Sequence, residues 1–176
     1  MRDKRIKGFT LIELLVVMTI MGILTIITAS QFTLARKRAS DSQRKTDLSS
    51  VAKALQMYYA DYGMYPKADD LKDAEGLNTA SLNELWGFEM RDLTGYTYMK
   101  TVPTESSLED INYCYKVSDD QKKFSLYTVL ENINDNECLK DAEGELLYSG
   151  CGLSNAYCFA IASVNADPLD VSLTAE

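Results

Sequence analysis

Hydrophobic and polar positions divide this chain into stretches of different period. From Phe9 to Ala29 it is almost continuously apolar, with scattered Thr, one Gly and a single charge at Glu13. About twenty such residues let a helix cross hydrocarbon, and the Thr hydroxyls can bond the preceding turn of their own helix. From Leu48 the apolar positions step by three and four, through Val51, Leu55, Tyr58 and Tyr62, against a polar set of Arg44, Lys45, Asp47, Ser49, Ser50, Lys53 and Gln56. That spacing predicts an amphipathic helix. Gly63 stands at the left-handed cap position and Pro66 follows at the distance of a helix stop. One helix from about Phe9 to Tyr62 would run roughly 80 Å.

Beyond Pro66 the pattern shortens. Residues 67–80 are polar and Asp-rich and read as a surface loop. Ser81-Leu82-Asn83-Glu84 fits a capping box and predicts a helix of about two to three turns, with Leu82, Leu85 and Trp86 turned to the core. Tyr96 and Tyr98 share a face of any extended segment. The clearest strand pair is Ile111 to Val117 and Phe124 to Glu131. Ile111, Tyr113, Tyr115 and Val117 lie on one face of the first, and Phe124, Leu126, Thr128 and Leu130 on one face of the second. Ala156 to Ser163 alternates in the same way, and Glu145 to Tyr148 offers a shorter strand. The expected fold class is α+β: a long N-terminal helix whose amphipathic half packs on a small antiparallel sheet.

Charge refines this picture. Arg2, Lys4, Arg5 and Lys7, against Asp3, form a basic leader ahead of the apolar run, and the next charge after Glu13 is Arg36. Burying Glu13 in lipid costs on the order of 3 kcal/mol on insertion scales, so the carboxylate needs a protein or amine partner. Cutting after Gly8 would supply one, because the new ammonium on Phe9 would lie about one turn away, or reach the Glu13 of a neighbouring copy. A secretory signal peptide, with Thr28-Ala29-Ser30 as its cleavage site, is disfavoured by Glu13 inside the apolar core. Arg36, Lys37, Arg38, Arg44 and Lys45 rival the leader in charge, so orientation does not follow from counting positive residues. The chain carries a formal net charge of −8 over 176 residues; removing the leader's four positive and one negative side chains takes this to −11. Such acidity disfavours non-specific nucleic-acid binding and suits a soluble exported domain.

The basic leader, Gly8-Phe9, three residues, Glu13 and the apolar helix together resemble the prepilin signature of the type IV pilin and type II secretion pseudopilin family. The segment Ala54 to Pro66 is similar to the end of the long helix in major pseudopilins, and Tyr113 to Glu131 to their C-terminal hairpin. The resemblance implies a leader at 1–8, a transmembrane and filament-core helix half at 9–30, an amphipathic half with its cap at 31–66, and a pilin head at 67–176. It implies cleavage between Gly8 and Phe9 by a prepilin peptidase, methylation of the Phe9 amine, and guidance of assembly by Glu13. Family members usually carry a proline near the positions of Ala29 and Ser30. This chain lacks it, so no proline kink is available there.

The four cysteines, Cys114, Cys138, Cys151 and Cys158, lie in the predicted exported part, where oxidation is expected. Four thiols allow three pairings; local closure favours Cys114 with Cys138 and Cys151 with Cys158. Zinc is disfavoured by the lack of a Cys-x-x-Cys pair and of any histidine. The absence of histidine also removes Ser-His-Asp and Cys-His catalysis, and no enzymatic function is expected. Asp135, Asp141 and Glu143 are candidate calcium ligands, as in some related pseudopilins, but without ordered spacing. The expected function is therefore a structural filament subunit that leaves an inner or cytoplasmic membrane, N-terminus inside and head outside, for a surface or periplasmic filament. Its partners would be itself, the peptidase and an assembly platform. A membrane-anchored binding module that does not polymerise is the contrasting reading.

Overall fold

A computed structural model describes residues 9–73, 75–76, 82–105, 113–140, 157–167 and 174–175. Its principal element is a 52-residue helix, α1 (Leu11–Tyr62). The chain divides into two compact units, Met1–Ala39 and Ser40–Glu176.

In the first unit the described part is the opening stretch of α1. Its large apolar side chains from Leu11 to Ile26 are all exposed, and the helix contains a span apolar enough to cross a membrane, with a mean hydropathy of 2.4. Thr19 and Thr25 donate their hydroxyls to the carbonyls of Val16 and Met21 at 2.8 Å each. Their polarity is thereby satisfied inside the helix, which suits a lipid or protein surround.

The second unit holds the core. Leu48, Val51, Leu55 and Tyr58 of α1 are buried at the predicted spacing. Tyr62, expected on the same face, is instead exposed at the end of the helix, where its hydroxyl donates to Asp92 at 2.7 Å. The helix ends at Gly63, whose φ of 67° is the left-handed conformation that glycine adopts without Cβ strain. Three short strands, β1 (Leu71–Lys72), β2 (Met90–Asp92) and β3 (Thr97–Met99), form one antiparallel sheet in sequence order. A second antiparallel sheet joins β4 (Cys114–Val117), β5 (Phe124–Thr128), β6 (Phe159–Ala162) and β7 (Thr174–Ala175) in the order β6-β5-β4-β7. Tyr115 faces Leu126 and Val117 faces Phe124 across β4 and β5. These side chains, with Tyr113, join the α1 residues in one hydrophobic cluster, so the α+β expectation holds.

Three expectations change. The segment after Ser81 forms a single 3-10 turn, Leu82–Glu84, not a helix of two to three turns. Leu82, Leu85 and Trp86 still enter the core, and Trp86 then bridges to Val102 as extended chain. One turn suffices to bury those side chains before the backbone is drawn into that bridge. The alternation expected for the second strand is also lost, since every residue of β5 is buried. Cys114, Tyr127 and Tyr157 pack together as a second cluster apart from the main core, so this strand is covered on both faces. Finally, the sheet is not single: two small sheets share the core. Expected strand residues Ile111 and 145–148, and the capping Ser81, lie outside the described residues.

Candidate functional site

Two polar constellations stand out, one in each unit. The first is built on the opening turn of α1. Thr10 precedes the helix, and its backbone N–H and hydroxyl both donate to Oε2 of Glu13 at 2.8 Å, while the Glu13 N–H donates back to the Thr10 hydroxyl at 3.3 Å. This is a reciprocal capping box: Thr10 is the N-cap and Glu13 the third helical residue. The predicted assembly carboxylate thus has a partner in its own chain before any neighbour arrives. Thr10 was legible as Thr-x-x-Glu at the start of an apolar run, yet its position within a membrane segment drew it in with the other helical Thr residues. Phe9 is 87% exposed. Gly8 lies outside the described residues.

The second constellation anchors loops of the head on α1. Arg44, which the helical pattern put on the polar face, is only 2% exposed. It donates to Asp41 at 2.6 Å, to Glu105 at 2.5 Å and to Glu131 at 3.1 Å. Asp41 also accepts the backbone N–H groups of Glu131 and Asn132 at 2.9 and 3.0 Å. Burial opposes the Arg44 charge, but the hydrogen bonds to Glu105, Glu131 and Asp41 outweigh it and raise its pKa. One residue further on, Lys45 bridges Asp135 and Glu137 at 2.8 and 2.6 Å, with its ammonium 5.2 Å from the centre of the Phe159 ring. Its hydrogen bond from Lys45 is the leading cause of the lowered pKa of Asp135. A third contact from the same helix is the hydroxyl of Tyr113 on Asp47 at 2.8 Å. Asp41-x-x-Arg44 is a visible i, i+3 pair, but nothing local in the sequence marks it as buried.

The cysteine pairing differs from the local scheme. Cys138 is bonded to Cys158, with Cα atoms 4.5 Å apart and a sequence separation of 20, and Cys114 is disulfide-bonded as well. Neither Cys114 with Cys138 nor Cys151 with Cys158 is formed; Cys151 itself lies outside the described residues. Cys114 packs with Tyr127 and Tyr157, whereas Cys138 and Cys158 share a separate cluster with Leu130. Loop-closure cost grows only slowly with length, so packing decided which thiols met. Of the calcium candidates, Asp135 accepts from Lys45 and from the Glu137 N–H, while Asp141 and Glu143 lie outside the described residues. Among the described residues no group of three or more His, Cys, Asp or Glu is placed to hold a metal ion.

Residues 3–29 match the family described as the prokaryotic N-terminal methylation motif. The type II secretion system core protein G of Vibrio cholerae is 31% identical over 106 residues, which cover 60% of this chain and 68% of that protein. The chain belongs to the type IV pilin and pseudopilin family. The type IV wide pilus major component PilA4 of Thermus thermophilus is 36% identical over 77 residues, 44% of this chain and 59% of that protein. The core protein G of Pseudomonas aeruginosa is 38% identical over 66 residues, covering 38% and 46%. No solved structure matches. These relatives are structural filament proteins, and this family member is likewise a filament subunit that is anchored in a membrane by its apolar helix before assembly. Membership of this family implies polymerisation with copies of itself and processing by a prepilin peptidase.

Proposed function

We propose that the chain is a stacking subunit of a type II secretion-like pseudopilus, cut between Gly8 and Phe9 and methylated on the Phe9 amine. The observation that carries this reading is the uncovered apolar helix from Leu11 to Ile26 with one acidic group, Glu13, at its first turn. Such a surface is stable in lipid before assembly and against other copies of the same helix afterwards. Core protein G is the name borne by the V. cholerae relative that aligns over 106 residues, which favours the pseudopilus over a pilus. Before cleavage the nitrogen of Phe9 is a neutral peptide group; afterwards it is a cation within reach of a carboxylate. Exchange of Glu13 from Thr10 to the ammonium of a neighbouring copy would set the register, because an unmatched buried charge costs several kcal/mol. The subunit would wait in the inner or cytoplasmic membrane with its N-terminus inside, and an assembly platform would draw it out.

Mass spectrometry of the native chain should find methylated Phe9 as the first residue, and substitution of Gly8 should abolish that species. Glu13→Ala should still insert and be cut but should give few or no filaments by electron microscopy. Normal filaments from this variant would remove the assembly role. A processed wild-type chain that stays monomeric alongside its machinery would favour the anchored binding module.

A further inference from the structure

We propose that Arg36, Lys37 and Arg38 form a collar that binds anionic phospholipid headgroups while the subunit resides in the membrane, which rests on the membrane-resident stage of the proposed function. The sequence presents five basic residues beyond the apolar run, and the structure separates them into two sets. Arg44 and Lys45 are consumed by Asp41, Glu105, Glu131, Asp135 and Glu137. Arg36, Lys37 and Arg38 are all exposed on α1 and make no ion pair among the described residues. The acid nearest in sequence, Asp41, is buried and already accepts from Arg44 and from two backbone N–H groups.

The position along the helix fits a headgroup layer. A helix entering hydrocarbon at Leu11 leaves it about twenty residues later. Arg36 to Arg38 then lie roughly 9 to 12 Å further along at 1.5 Å per residue, and their long stems can bring the charges back to the layer of lipid phosphates. Phe32, 73% exposed, falls where an aromatic side chain meets the interface. The angular arrangement decides between partners. Three consecutive helical residues are set about 100° apart and cover roughly 200° of the circumference. A single protein partner would meet one face, whereas a bilayer surrounds the helix and meets all three. Phosphodiester oxygens suit the guanidinium forks of Arg36 and Arg38. The fit does not depend on which side of the membrane the collar occupies.

The test uses the full chain reconstituted in phosphatidylcholine vesicles containing phosphatidylglycerol, with trace spin-labelled forms of either lipid. At low salt the immobilised fraction should favour phosphatidylglycerol by about fivefold, the ratio expected for one basic side chain at an anionic surface. The preference should fall towards one in high salt and in R36Q/K37Q/R38Q. It should persist when phosphate replaces chloride at equal ionic strength, since inorganic phosphate is not the ligand. Equal affinity for both lipids in the wild type, or a preference unchanged in the triple variant, overturns the proposal. A variant that keeps its lipid preference but loses self-association would assign the collar to a second copy instead. If the wild-type chain fails to float with the vesicles, the membrane stage itself falls, which separates that failure from failure of the collar alone.

Discussion

Glu13 and Arg44 show how one charged residue acquires its meaning from what it touches. The Glu13 carboxylate is held by the amide and hydroxyl of Thr10. Thr10→Val would remove the hydroxyl while leaving the amide, and should loosen the first turn by about 1 kcal/mol, the usual worth of an N-cap. Faster amide hydrogen exchange at Leu11 to Leu14 of the micelle-bound chain would register it. Arg44 is at the other extreme, a buried cation facing three carboxylates. Arg44→Met leaves those carboxylates without their cation and should cost about 3 to 5 kcal/mol in urea unfolding. Lys45→Met, removing two partly exposed ion pairs, should cost about 1 kcal/mol or less. The single tryptophan reports both, because Trp86 is buried with its ring 5.6 Å from that of Tyr113.

At the scale of elements, α1 carries information of two kinds. Its three- and four-residue apolar spacing named Leu48, Val51, Leu55 and Tyr58 as core, and its stop at Gly63 followed from cap chemistry. The 3-10 turn at Leu82–Glu84 and the full burial of β5 did not follow in this way, because each depends on what packs beyond the element. The disulfide is a similar case. Non-reducing peptide mapping should recover a fragment linking Cys138 to Cys158, and a link from Cys138 to Cys114 would contradict the packing described here. Cys138→Ser should lower stability by roughly 3 kcal/mol on a chain-entropy basis for a loop of this length.

For the whole molecule, titration at both ends of the pH scale should expose the head. Burial is the leading cause of the raised pKa values of Tyr58, Tyr98 and Tyr113, assisted by nearby carboxylates. A tyrosine held neutral in the folded state contributes fully below its unfolded pKa of about 10. Above it the unfolded chain holds fewer protons than the folded one, so stability must fall as pH rises towards the folded pKa values. The lowered pKa values act in the opposite sense. For Asp92, burial opposes ionisation but hydrogen bonds from Thr94, Tyr62 and Tyr96 outweigh it; for Asp135 the Lys45 hydrogen bond leads. Their contribution is present above the unfolded carboxylate pKa of about 3.9 and disappears as pH falls through the folded values. Urea midpoints followed by Trp86 fluorescence should therefore be flat near neutrality, declining above about pH 10 and below about pH 4.

The apolar helix long enough to cross a membrane, the acidic residue at its first turn and the core face of α1 from Leu48 to Tyr58 were all determined by the sequence itself. Each rests on a local period or a short spacing that needs no distant residue. Only the tertiary structure decided that Arg44 is buried, that Cys138 meets Cys158, and that Arg44 and Lys45 are ion-paired while Arg36, Lys37 and Arg38 make no ion pair among the described residues. Those outcomes depend on groups brought together from up to about ninety residues apart, such as Asp135 and Glu137 on Lys45. A one-dimensional pattern records which side chains carry charge or sulfur, whereas their pairing is set by the shape into which the core closes.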